Sequence, residues 1–175
     1  LVLACALVEG PRAEPWRIGV VALVGERELD DDADLPGLED QDVLGISVDA
    51  YRPHATLGLE AALITADAER GSSDVRTTEL SFGLRRTWLP DDLGVRGIYP
   101  FVGAGLALLS TDSDVAGRSS DDLGAGVYAH FGAYGLFADH FRLGFDCRFL
   151  REDVVDSSAP DLDSAQLALT VGYAF

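Results

Sequence analysis

At 175 residues the chain has the length of one domain and not of two. Its formal net charge of −17 excludes the phosphate backbone of a nucleic acid as a partner, because that contact needs the opposite sign. Apolar residues make up 47% of the chain, yet no uncharged apolar run approaches the roughly 18–20 residues of a transmembrane helix, so any crossing of a bilayer falls to strands.

The opening stretch LVLACALVEGPRAEP is apolar for eight residues and then breaks, and the chain contains no methionine. It reads as the tail of a secretory signal peptide with a short extension, residues 1–14, ahead of a barrel domain over 15–175. A short buried element is the plainer alternative. Val2-Leu3-Ala4-Cys5 also comes near a lipoprotein cleavage box, with Cys5 as the lipidated residue. The two cysteines, Cys5 and Cys147, make no disulfide framework, and Cys147 reads as a small hydrophobe.

From there the chain divides into eight segments in which large apolar residues alternate with small or polar ones, the period of a strand with two unlike faces. They span Trp16 to Gly25, Asp42 to Tyr51, Ala55 to Ala66, Arg76 to Leu89, Gly97 to Ser110, Asp122 to Tyr134, Phe141 to Leu150 and Ser164 to Phe175. The seventh is the clearest: Phe141, Leu143, Phe145, Cys147 and Phe149 on one face oppose Arg142, Gly144, Asp146 and Arg148 on the other. Each segment is near the roughly 9–11 residues of a tilted transmembrane strand. The connections alternate as well. Glu26–Gln41, Asp67–Val75, Thr111–Asp121 and Arg151–Asp163 are long and polar, whereas Arg52–His54 and Phe137–His140 are short; only Pro90–Arg96 blurs the rule. Membrane barrels pair short periplasmic turns with longer outer loops, and an even strand count puts both termini on the short-turn side.

The faces opposite the apolar ones carry many glycines and a balanced set of charges: Arg17, Asp49, Glu60, Glu79, Arg85, Arg142, Asp146 and Arg148. Buried charges persist only when paired and hydrogen bonded, so this set predicts an ion-paired plug filling a narrow lumen. A soluble antiparallel sheet also shows one apolar and one charged face. Two features favour the membrane barrel instead. Glycine sits where a solvent face would carry Lys, Thr and Glu. Aromatics also collect near segment ends (Trp16, Trp88, Phe131, Phe141, Phe149, Tyr173 and Phe175), as interfacial girdles require. The expected fold is therefore all-β, an eight-stranded antiparallel up-and-down transmembrane β-barrel.

YPFVGAGLALL, GAGVYAHFGAYGLFADHFRLGFDCRF and the closing LALTVGYAF resemble the last four strands of the OmpA-like and opacity-type eight-stranded outer membrane barrels. The resemblance covers the mature chain in pattern and roughly Gly97 to Phe175 in motif. It implies a cell outer membrane location, with the termini periplasmic and the long loops extracellular. It also implies outer membrane lipid, lipopolysaccharide and, during biogenesis, the barrel assembly machinery as partners of a monomer. In that family the terminal aromatic, with apolar residues at alternate positions before it, serves as the signal read by that machinery. Leu167, Leu169, Val171, Tyr173 and Phe175 match it. Proteins of the OmpA type often carry a peptidoglycan-binding domain after the barrel; this sequence stops at Phe175, so the resemblance is not extended to a cell-wall tether.

Candidate chemistry is sparse. The acidic run Asp30, Asp31, Asp32, Asp34, Glu39, Asp40 and Asp42 offers oxygen ligands for a hard cation but lacks the spacing and glycine of an EF-hand loop, and reads as a solvated charge run. His54 and His140 fall in the expected periplasmic turns. His130 points inward beside Tyr128, with Asp146 or Glu79 as orienting acids; a lipid A hydrolase needs a serine within hydrogen-bond reach of a base on the lipid side of the outer rim, and the sequence singles out no such pair. The expectation is a non-enzymatic barrel without cofactor or metal, serving envelope integrity or surface interaction through acidic loops. A small-solute pore, a soluble lipocalin-like carrier and, last, a lipid A-modifying hydrolase are the alternatives.

Overall fold

The computed structural model describes residues 15–29, 38–52, 55–71, 73–89, 97–115, 118–153 and 163–175. Cys5, His54, Asp30, Asp31, Asp32, Asp34 and Pro90–Arg96 lie outside them, as does most of Arg151–Asp163. Eight strands follow in order: β1 Arg17–Leu29, β2 Asp40–Tyr51, β3 Gly58–Arg70, β4 Ser73–Thr87, β5 Ile98–Val115, β6 Arg118–Phe137, β7 Phe141–Asp153 and β8 Ser164–Ala174. Each pairs antiparallel with its sequence neighbours, and β8 returns to β1 from Gly19↔Ala174 to Leu29↔Ser164, closing the barrel. Closure leaves no free edge, so the ladder amides and carbonyls find partners without water.

The alternation sorts side chains as expected. Twenty-eight large apolar residues point outward and remain exposed among the described residues, from Ile18 and Val24 on β1 to Leu167, Leu169 and Val171 on β8. At about 1.5–3 kcal/mol for each such side chain moved out of water, this belt would cost tens of kcal/mol in an aqueous protein. It belongs against lipid.

Several segment ends differ from the sequence expectation. Asp67–Val75 is not a long loop: β3 and β4 stay paired to Arg70↔Ser73, and the chain turns at Gly71, whose φ of +66° suits glycine. Thr111–Asp121 likewise continues as ladder to Val115↔Arg118. Both hairpins outrun the apolar belt: there β5 and β6 are polar on both faces, whereas β3 and β4 reverse the pattern, with Asp67, Glu69, Asp74 and Arg76 outward and Ala66, Ala68 and Val75 buried inward. The third strand starts at Gly58 rather than Ala55. The β6–β7 connection is short as expected, with His140 N donating to Phe137 O at 3.2 Å and positive φ at Ala138 (48°) and Asp139 (64°). Where the first loop re-enters, Leu38 packs with Leu29, Ala68 and Val75, and Leu29 N donates to Glu39 O at 2.9 Å.

Candidate functional site

The lumen is filled by three tiers of polar side chains. Nearest the end that carries the termini, Arg142 Nη1 donates to Asp49 Oδ1 at 2.5 Å, and Arg85 Nη1 lies 3.6 Å from the same oxygen. The Arg85 guanidinium rests 3.6 Å from the Phe101 ring centroid, and that of Arg142 4.6 Å from Tyr134. In the middle, His130 is held at both ring nitrogens: Nδ1 lies 2.6 Å from Asp146 Oδ2 and Nε2 2.9 Å from the Glu60 carboxylate. Tyr128 donates its hydroxyl to Glu60 at 2.7 Å. In the third tier Glu79, wholly buried, accepts from Arg27 Nη2 at 2.7 Å and from Arg148 through its other oxygen. Arg27 also donates to Gln166 Oε1 at 3.0 Å.

Backbone choice makes this packing possible. A Cβ at Gly103 would overlap the His130 ring and the Glu60 carboxylate, so the middle tier exists only because β5 carries no side chain there. The space left among Glu60, Arg85, Tyr128, His130, Tyr134 and Arg142 is about 30 Å³, enough for roughly one or two water molecules and nothing larger. Asp49 meets the guanidiniums of Arg85 and Arg142, Glu79 meets those of Arg27 and Arg148, and Glu60 and Asp146 flank His130, so with the imidazole counted as neutral the tiers hold four carboxylates and four guanidiniums. The tiers are thus formally balanced inside a chain of net charge −17.

Of the residues that parity placed inside, Asp49, Glu60, Glu79, Arg85, Arg142, Asp146 and Arg148 all enter these tiers. Arg17 does not. It shares their parity but opens β1 opposite Tyr51 at the rim, where it is exposed. Arg27 carries the β1 charge instead, two residues past the expected strand end. Glu79, offered as an orienting acid for His130, binds two arginines, and Glu60 takes the histidine. At the chain end Leu167, Leu169 and Val171 face outward. Tyr173 is flanked by His140, Phe141 and Phe175, with ring centroids 5.2, 5.5 and 4.9 Å away. Phe175 N donates to Ile18 O at 2.8 Å and Ala174 N to His140 O at 2.7 Å, tying the last residues to both neighbours.

The two ends of the outer wall differ in sign. At the end away from the termini, outward carboxylates stand directly opposite one another: Glu26↔Asp42 and Glu28↔Asp40, Asp42↔Asp67, Glu69↔Asp74, Asp74↔Asp114 and Asp112↔Asp121. Like charges so placed oppose folding. Arg76 interrupts the collar, its Nε 2.5 Å from Asp67 Oδ1, a hydrogen bond that together with the nearby carboxylate charge raises its pKa. At the terminus-bearing end the exposed charges among the described residues are Arg17, Arg52 and Arg86 against Asp139. Among the described residues no group of three or more His, Cys, Asp and Glu side chains is placed to hold a metal ion.

The family described as "Outer membrane protein beta-barrel domain" matches residues 1–175. The chain belongs to that family. The outer membrane barrel has structural counterparts of low sequence identity. Neisserial surface protein A aligns with a TM-score of 0.64 at 14% identity, covering 91% of this chain and 97% of that one. Ail, the attachment invasion locus protein of Yersinia pestis, in complex with the heparin analogue sucrose octasulfate, gives 0.62 at 11%, covering 93% and 99%. The N-terminal β-barrel domain of Pseudomonas aeruginosa OprF gives 0.58 at 16%, covering 91% and 97%. At these identities the likeness is one of fold. A search of curated proteins finds no match. Membership of the family assigns the apolar belt to the lipid of the outer membrane and removes the soluble-carrier alternative.

Proposed function

We propose that this barrel is a non-enzymatic outer membrane protein with a closed lumen, acting through its lipid-facing wall and its acidic rim in envelope integrity or surface interaction. The observation that carries this reading is the three-tier ion-pair stack across the interior, with a pocket of only about 30 Å³ among Glu60, Arg85, Tyr128, His130 and Arg142. Breaking buried pairs to admit a solute strands charges in a poorly solvated interior, at about 3–5 kcal/mol for each broken pair. That opposes a small-solute pore.

A lipid A-modifying role needs a base free to face lipid. His130 has both nitrogens engaged by carboxylates inside the lumen, and His140 stacks on Tyr173 with Nδ1 3.0 Å from Ala174 O. The reading sets the termini in the periplasm and the carboxylate collar outside, with the alternating C-terminal residues Leu167 to Phe175 serving as the assembly signal. The sign of the collar bears on partners. Ail was crystallised with a heparin analogue, a polyanion; the carboxylates of this rim repel polyanions and favour cationic or cation-bridged surfaces. The test is single-channel recording of the full chain in planar bilayers. We expect no steady current from the wild type and transient openings from Glu79→Ala, which unpairs two arginines. A steady wild-type current would overturn the closed-lumen reading.

A further inference from the structure

Two arginines on the outer wall, both at the terminus-bearing end, lie over tryptophan rings. The Arg52 guanidinium carbon is 4.9 Å from the Trp16 ring centroid and that of Arg86 is 5.1 Å from Trp88. Both pairs continue the outward face just past the apolar belt. Trp16 and Arg52 extend the β1–β2 register beyond Arg17↔Tyr51. Arg86 lies opposite Val102, and Trp88 N donates to Pro100 O at 3.0 Å. Whereas Arg27, Arg76, Arg85, Arg142 and Arg148 each meet a carboxylate, no carboxylate among the described residues lies within ion-pair distance of Arg52 or Arg86.

We infer that Arg52 with Trp16, and Arg86 with Trp88, form two sites for the phosphate of anionic phospholipid headgroups in the leaflet at the terminus-bearing end. This rests on the membrane-spanning reading above and adds a ligand to it. Tryptophan settles at the headgroup level. A cation–π contact of this kind does not use the N–H donors of the guanidinium, and that fork matches phosphate oxygens in pairs. Among the described residues, the opposite end, with its collar of carboxylates, offers no such arginine–tryptophan pair on its outer wall. Binding here would also run against the chain's overall charge of −17, so a preference for anionic lipid reports these sites and not the global field.

Trp16 and Trp88 are the only two tryptophans in the chain, so indole fluorescence reports on these two places alone. The experiment refolds the full chain into phosphatidylcholine vesicles containing a small fraction of acyl-brominated lipid, either phosphatidylglycerol or phosphatidylcholine, and compares quenching at equal mole fraction. The expected result is stronger quenching by the glycerol lipid, reflecting about fivefold local enrichment at each site, the factor equivalent to about 1 kcal/mol per arginine near a lipid surface. In the variant carrying R52Q and R86Q the two lipids should quench equally, while R52K with R86K should retain part of the preference. Inorganic phosphate at matched ionic strength should leave the preference intact; its loss would show that the sites take free phosphate and overturn the lipid assignment. Equal quenching in the wild type, or a preference that survives R52Q with R86Q, would overturn the inference alone. No quenching by either lipid would remove the membrane reading and the inference with it. Heat-modifiable gel mobility of each variant confirms that the barrel compared is folded.

Discussion

Glu79 accepts from Arg27 through one carboxylate oxygen and from Arg148 through the other, in a setting with no exposed surface. Removing the shared acid strands two buried guanidiniums, whereas removing Arg148 leaves Glu79 still bound to Arg27. Glu79→Ala should therefore destabilise by about 3–5 kcal/mol and Arg148→Ala by about 1–3 kcal/mol. Urea titration of the heat-modifiable band in detergent checks this, and equal losses would mean that the tier does not share its charge as described. Strand parity made most of this stack legible in the sequence, because a period of two assigns every charge to a face. It could not pair them. That Glu60 reaches His130 depends on side chains crossing the lumen from β3 to β6, and that Arg27 belongs to the stack depends on β1 continuing past Gly25, where its apolar alternation stops. Arg17 misled for the converse reason: correct parity at a strand's first residue places a side chain at the rim, where water reaches it.

Along the strands, depth decides what a charge costs. Phe145 lies mid-strand on the lipid face, between Ala133 and Leu169, while Leu123 sits opposite Ser110, next to the acidic end of β6. Phe145→Asp should cost about 2 kcal/mol or block insertion, and Leu123→Asp under about 1 kcal/mol, although Leu123 is the more exposed residue at 86% against 42%. Refolding yield into vesicles measures both, and a soluble, well-folded Phe145→Asp protein would contradict the lipid-facing wall. The same dependence explains why strand number and facing were readable and strand ends were not. The lipid-facing apolar alternation marks only the part of each strand in the bilayer; beyond it the β5–β6 hairpin continues in Ser, Thr and Asp, while β3–β4 turns charges outward and Ala66, Ala68 and Val75 inward. The short β6–β7 turn offers a backbone test. Ala138 is held at φ 48°, a region that costs a residue with a Cβ about 1–2 kcal/mol. Ala138→Gly should therefore raise the urea midpoint, and a lowered midpoint would refute the turn geometry.

For the molecule as a whole, the balance within the three tiers means that the net charge of −17 resides outside them, much of it on the rim away from the termini. There Asp42 stands between Glu26 on one neighbouring strand and Asp67 on the other. The repulsion acts in the folded state only, because unfolding lets these carboxylates separate, so it subtracts from stability wherever they are ionised and unscreened. Asp42→Asn should stabilise the barrel by about 0.2–1 kcal/mol for each opposed pair it relieves. The Asp67 side contributes less, since Arg76 already offsets that carboxylate. Near 1 M NaCl the screening length falls to about 3 Å, and the wild type should gain stability while the advantage of the variant shrinks. Urea midpoints of both proteins at low and high salt provide the measurement. A gain that persists unchanged at high salt would trace the effect to something other than the collar's charge. A gain confined to low salt would show that the barrel holds its acidic rim at a cost in stability that its core and wall must supply.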